Sequence, residues 1–221
     1  MIHLLMGAPG AGKGTQGDML VERCGFVKLS TGDILRKHIA DKTDIGKKIE
    51  SVMASGSLVS DDLLIDMVRA ELSRLHAEAP ESEVLLDGFP RTVEQAVALE
   101  GLLKNLDCGL GTVIFLDVSD EDVIKRLCGR RVCRQCGKNY HVEYLPAAKD
   151  GICDDCGSEL MHRDDDKEAR IKNRLGVFRT QTSPVLDFYR ENGHYVEMPA
   201  SGSSEDVFSG VLDALEQSKS P

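Results

Sequence analysis

Three groups of residues in this 221-residue chain have the types and spacing to do chemistry. The first is the stretch 1–15, MIHLLMGAPGAGKGT, where a short apolar run ends at Gly7 and Gly10, Gly12 and Gly14 surround Lys13. Glycine tolerates the dihedrals that turn successive N–H groups inward. A helix N-terminus and one ammonium beside them complete a cradle for a polyphosphate, so Gly10-Ala11-Gly12-Lys13-Gly14-Thr15 predicts phosphate binding rather than a plain structural turn. In the general pattern G-x-x-x-x-G-K-[ST] a hydroxyl follows the lysine. Here Gly14 stands in that place and the hydroxyl comes one position late, at Thr15. Glycine has no side chain to ligate Mg²⁺, so a metal brought in with the phosphates needs other partners.

The second group is Cys133-x₂-Cys136 followed, after sixteen residues, by Cys153-x₂-Cys156. This paired spacing fits a four-thiolate zinc site, and Gly137 and Gly157 suit the tight turn after each pair. A disulfide pair, a redox C-x-x-C and an empty knuckle are the alternatives, and His141 or His162 could replace one cysteine. Four protein ligands leave no position for water, so such an ion is structural. The third group is a concentration of arginines between 126 and 179 in a chain whose net charge is −10. Acidic overall with a local arginine cluster, the chain suits a small anionic ligand better than a nucleic acid.

The elements that must position these groups follow from the apolar pattern. Strands are predicted at 2–6, 26–29, 84–88, 112–118 and 194–198. Helices are predicted at 13–24, 34–40, 44–54, 61–77, from 93 to about 106, 121–127, through much of 165–191, and 204–216. Strands alternating with helices imply an α/β fold, a parallel sheet covered on both faces, with phosphate at its carboxyl edge. Asp87, ending an apolar strand, stands where an enzyme of this kind keeps an acid near Mg²⁺. From 129 to about 163 the periodicity gives way to glycines, cysteines and tyrosines, which reads as an inserted subdomain. An apolar fraction of 41% is enough for a core, and no apolar run reaches the ~18 residues of a membrane span. No signal peptide is read at the N-terminus, and a cytoplasmic, reducing setting is expected. The tail 217–221 is expected to fray.

Six motifs in order carry a resemblance to a known family: GAPGAGKGTQ at 7–16, STGDILR at 30–36, LLDGFPRT at 85–92 with Gln95 beyond, GRRVCRQCGKNYHV at 129–142, HRDDD at 162–166 and QTSPVLDFY at 181–189. The sequence resembles the adenylate kinases of the long form, whose lid carries a zinc knuckle, over nearly its whole length. The resemblance implies a five-stranded P-loop core at 1–29, 60–128 and 164–221, an AMP-binding insert at 30–59 and a lid at 129–163. It implies reversible phosphoryl transfer from ATP to AMP with Mg²⁺, a structural Zn²⁺ on Cys133, Cys136, Cys153 and Cys156, and a monomer. The implied catalytic set is Lys13, Arg91, Arg126, Arg130, Arg163 and Arg174. ATP would be held by the Gly10–Thr15 backbone, Lys13, Arg126, Arg130, Asn139, Tyr140 and a backbone contact near Gly202. AMP would be held by Thr31, Arg36, Ser57, Leu58, Val59, Gly88, Phe89, Pro90, Arg91, Gln95, Arg163 and Arg174. Arg36 and Arg91 would meet its phosphate as planar forks, and the Gln95 amide would meet an adenine edge. Asp33 and Asp87 would hold Mg²⁺ waters, which explains how Gly14 can replace a metal-ligating hydroxyl.

Three positions depart from the family pattern. Ser60 replaces a proline or threonine, Phe178 a tyrosine, and 198–202 lacks the usual Asp-Gly. Two rival functions follow from the same residues: another nucleoside monophosphate kinase or a GTP-preferring relative, and a nucleic-acid-binding zinc-ribbon protein with a vestigial nucleotide site.

Overall fold

The computed structural model describes residues 1–192 and 195–217. A strand β1 at Ile2–Gly7 has every residue buried, His3 included, as in a strand covered on both faces. It is followed by helix α1 (Lys13–Cys24), β2 (Val27–Ser30), α2 (Thr31–Ala40), α3 (Asp44–Ser55), α4 (Asp61–Glu78), β3 (Val84–Asp87), α5 (Val93–Asn105), β4 (Leu110–Asp117) and α6 (Asp120–Gly129). Three short strands come next: β5 (Arg130–Cys133), β6 (Asn139–His141) and β7 (Leu160–Met161). A 3₁₀ turn at Asp164–Asp166 leads into α7 (Glu168–Val177), a π-helical turn at Phe178–Thr182, α8 (Ser183–Glu191), β8 (Tyr195–Pro199) and α9 (Ser204–Gln217).

Strands β2-β3-β1-β4-β8, in that order, form one parallel five-stranded sheet. Alternation along β1 sends Leu4 and Met6 to one face and Leu5 to the other. On the first face they join Leu64, Val68 and Leu72 of α4, Leu99 of α5 and Val185 and Tyr189 of α8. Leu5 on the opposite face packs with Leu20 of α1 and Val207, Val211 and Leu215 of α9. Connections run to opposite sides after β1 and after β3, so a crevice opens at the carboxyl ends of these neighbours, where ligands of such sheets bind. Gly7 and Asp87 stand at its lip.

The sequence places the helices and strands within one to three residues, and the shifts have local causes. The Ser30 side chain accepts from Asp33 N and starts α2 at Thr31 instead of 34. The predicted strand at 26–29 is observed at Val27–Ser30, and the last strand runs Tyr195–Pro199, with His194 outside the described residues. Gln217 is helical, while 218–221 of the predicted frayed tail also lie outside them. The irregular insert is a separate antiparallel sheet, β6-β5-β7. Among the described residues, no helix is long and apolar enough to cross a membrane.

Candidate active site

The phosphate loop takes the shape its glycines permit. Gly10 and Gly12 have φ of 84° and 99°, in the left-handed region, and Gly12 caps α1. A Cβ at Gly10 would come within 2.8 Å of Leu127, so only glycine lets the loop lie this close to α6. Lys13 at the helix start folds back and donates to Gly7 O at 2.8 Å and Ala8 O at 2.9 Å. Burial pushes its ammonium down to about 8, with nearby arginines adding to the effect and Asp87 opposing it.

A cavity of about 850 Å³ opens in front of this loop. It is bordered by the whole of 10–15, Thr31, Asp33, Arg36, Ser57, Leu58, Val59, Asp87 to Arg91, Arg126, Arg130, Asn139, Tyr140, Arg163, Arg174 and Gly202. Eight cationic side chains and four carboxylates line it, a reversal of sign in a chain carrying −10. Desolvation beside other guanidinium groups pushes Arg91 down to about 10 and Arg163 to about 9, so these cations are held against their own repulsion. An anion carrying several charges is the complement such a cavity lacks.

Carboxylates beside the cavity orient the arginines. Asp166 is fully buried and accepts from Arg130 Nε at 2.8 Å, from Arg130 Nη2 at 2.6 Å and from Arg174 Nη1 at 3.1 Å. Arg174 also pairs with Asp165 at 2.9 Å. Arg130 enters the small sheet and Asp166 lies just past its exit, so this bidentate pair closes the neck of the insert. Arg36 bonds Asp33, and Arg91 Nε donates to Gly88 O at 2.7 Å. At Gly88 (φ 80°) a Cβ would lie 2.9 Å from the Arg91 guanidinium. Arg126 bridges two loops, donating to Ala11 O at 3.4 Å and Ala200 O at 2.7 Å.

Gln95, expected to meet an adenine edge, lies beneath the Arg91 loop. It is fully buried, its Oε1 accepts from Arg91 N at 2.7 Å, its Nε2 donates to Asp61 at 2.7 Å, and it does not border the cavity. In this arrangement one N–H and one lone pair of its amide hold Asp61 and the Arg91 backbone. Tyr140 borders the cavity, yet its hydroxyl faces inward, 3.4 Å from Cys153 Sγ and 2.9 Å from Asp154 N. Missed by the sequence reading are Asp165, Asp166 and Gln16. All three lie inside quoted motifs, and for the two aspartates an acid beside an arginine cluster was the available signal.

The four sulfurs of Cys133, Cys136, Cys153 and Cys156 lie within 4.8 Å of one another. Zn–S bonds of ~2.3 Å imply sulfur separations near ~3.8 Å in a tetrahedron. Contacts of 3.4 Å (Cys133–Cys156) and 3.6 Å (Cys136–Cys153) lie close to that spacing. Gly137 and Gly157, with φ of 77° and 71°, make the two knuckle turns, and each N–H returns to the carbonyl of the first cysteine of its pair. His141 instead bonds Glu143 N and Tyr144 N through Nδ1, and His162 lies near Leu127 O at 3.3 Å, so neither belongs to the cluster.

Sheet, phosphate loop and cationic cavity define a P-loop α/β enzyme acting on nucleotide phosphates. A sequence model of the adenylate kinase family matches residues 5–194. The chain is 43% identical over 212 residues to an adenylate kinase of Caldicellulosiruptor bescii, covering 96% of this chain and 97% of that one. Adenylate kinases of Thermodesulfovibrio yellowstonii (43% over 214 residues, 97% and 98% of the chains) and Methanothrix thermoacetophila (41% over 212, 96% and 97%) are similar over the same span. The chain belongs to the adenylate kinase family and is a nucleoside monophosphate kinase.

Proposed function

We propose that this chain catalyses ATP + AMP ⇌ 2 ADP, with the donor at the phosphate loop and the acceptor against 31–59 and 88–91. The observation that carries this reading is the single cavity in which the phosphate loop and eight cationic side chains meet. An oxygen of the AMP phosphate attacks the γ-phosphorus of ATP. That O–P bond forms as the bond to the β-phosphate oxygen breaks, leaving ADP on each side. The attacking oxygen is already anionic, so no strong general base is needed. Catalysis rests on alignment and on fixed cations facing the charge in flight. Lys13 and the 10–15 backbone would hold the donor phosphates, Arg36 and Arg91 the AMP phosphate, and Arg130, Arg163 and Arg174 the transferring group.

Asn139, Tyr140 and Gly202 would border the ATP base and ribose, with Arg126 clamping the loops beneath. Thr31, Ser57–Val59 and Gly88–Pro90 would enclose AMP, and Gln95 would act through Arg91. Mg²⁺ brought in with ATP would neutralise phosphate charge, with Asp33 and Asp87 within reach of its waters. The segment 129–163 would close as a lid that excludes water, and 30–59 would close over AMP. The four thiolates would hold Zn²⁺ as a cross-link within that lid. We take the protein as a cytoplasmic monomer, where thiols stay reduced and available to a metal.

A coupled assay for ADP tests the proposal. Two ADP should form per ATP consumed, with strict dependence on AMP, and CMP, UMP and GMP should be poor acceptors and GTP a poor donor. Turnover without AMP, or a preference for another monophosphate, would overturn it.

A further inference from the structure

Two side chains tie the phosphate loop to the loop at 200–204. One is Arg126, through Ala11 O and Ala200 O. The other is Gln16, one turn into α1 from Lys13, whose Nε2 donates to Ser204 O at 3.0 Å across 188 residues of sequence. Gln16 is 2% exposed and borders the cavity. A carbonyl can only accept, so the amide nitrogen must face Ser204 and Oε1 must turn away. That Oε1 is buried and has no hydrogen-bond partner among the described residues. A buried acceptor without a partner is unfavourable, and an apolar side chain of the same length would avoid it. The bond to Ser204 is therefore what the amide contributes at this position.

The rest of that loop is fixed as well. Ala200 N donates to Asp117 O at 2.8 Å, and Ser203 and Asp206 form a reciprocal cap, with Asp206 N reaching Ser203 Oγ and Ser203 N reaching Asp206 Oδ2, both at 3.2 Å. Gly202 sits between these anchors with φ of 116°. The loop lacks the Asp-Gly of the family pattern, and Arg126 and Gln16 add outside grips to these bonds.

We infer that Gln16 is a positioning residue for the donor nucleotide: it fixes the span between the phosphate cradle and the 201–204 backbone that meets the base. This rests on the ATP site proposed above. A ligand with both triphosphate and base uses that span, whereas AMP and bare inorganic tripolyphosphate do not.

The test is Gln16→Met, which keeps length and removes the donor. KM for ATP should rise about tenfold, equivalent to ~1.4 kcal/mol, and the preference for ATP over GTP should narrow. KM for AMP and the inhibition constant of tripolyphosphate should each stay within about twofold of the wild type. Should Gln16→Met fail to fold, Gln16→Asn, one methylene too short to reach Ser204, carries the same expectation. Equal changes for ATP, AMP and tripolyphosphate, or no change in KM for ATP, would overturn the inference. Wild-type protein that forms no ADP from ATP and AMP would instead overturn the proposed function.

Discussion

Replacing Asp166 by asparagine removes a charge from a carboxylate with no solvent exposure that accepts three hydrogen bonds from two guanidinium groups. Asparagine is nearly isosteric, but its NH₂ would face guanidinium N–H donors, so at least one of the two bonds from Arg130 is lost. Removing one partner of a fully buried pair costs about 3–5 kcal/mol. Here Arg130 and Arg174 keep about a fifth of their side-chain surface in water (21% and 19%), and Arg174 retains Asp165. Partial hydration lowers the expected loss to about 2–3 kcal/mol, or roughly 4–12 °C in Tm for a chain this long. Turnover should respond separately, since a transition-state arginine is worth about 10³-fold or more in rate. An Arg130 that has lost its bidentate anchor but remains nearby should forfeit part of this, about 10–100-fold in kcat. KM values should change little. Steady-state kinetics well below the melting transition, paired with thermal melts, read both effects, and Asp165→Asn, which touches Arg174 alone, should give the smaller loss of kcat. An Asp166→Asn enzyme whose Tm falls as expected while kcat stays within threefold of the wild type would refute the reasoning: the pair would then hold the neck of the insert without aiming Arg130.

Two further outcomes follow from the four-cysteine cluster and the buried lysine. The small sheet's own core is Cys133, Tyr140 and Cys153 with Ala147 and Leu160 against them, so chelation or Cys136→Ser should lower Tm by roughly 6–12 °C, about 3 kcal/mol, while kcat at low temperature falls less than tenfold. Chelation that abolishes turnover with Tm unchanged would sink the structural assignment. Burial pushes Lys13 down to about 8, and donor phosphates would restore its charge. ATP binding should therefore take up a proton above about pH 8, with KM for ATP rising up to tenfold per pH unit there and flat below it. The free protein gains stability relative to its unfolded chain as pH rises from about 8 toward 10.5, where the unfolded lysine titrates. Lys13→Met should remove both slopes in a nucleotide-binding titration and a pH series of melts.

What the sequence conveyed and what it withheld divide by the range of the forces involved. The phosphate loop, the strand ending at Asp87 and the paired cysteines are local: their dihedrals and spacing are written in consecutive residues. That the sheet is parallel is nearly as legible, because strands alternate with helices along the chain. Asp166 escaped because three adjacent acids in HRDDD look alike in one dimension. Only the fold buries one of them and leaves Asp164 at the surface. Gln95 was read for what its amide can bond to in principle, and its bonds to Asp61 and the Arg91 backbone come from tertiary neighbours that no local pattern reports. The partnership of Gln16 spans 188 residues and depends on a backbone carbonyl, which no side-chain pattern reports.

The same division bears on how the cavity tolerates its charge. Lys13, Arg91, Arg163 and Arg174 are all shifted toward the neutral form by burial, so the empty cavity is electrostatically unfavourable as it stands. The nearby carboxylates relieve this only in part: Asp166 and Asp165 satisfy Arg130 and Arg174, while Lys13 spends its donors on the carbonyls of Gly7 and Ala8. Those carbonyls are weaker partners than phosphate oxygens, because a neutral acceptor returns less than a charged one in a desolvated site. Exchanging them for a polyphosphate would therefore release free energy that the fold has held in reserve. Phosphates at both ends are needed to collect all of it, since Lys13 lies at the loop and Arg91 beyond Gly88. A site built this way would favour closure with two nucleotides over closure with one, and so would add to the lid's exclusion of water in disfavouring transfer to water.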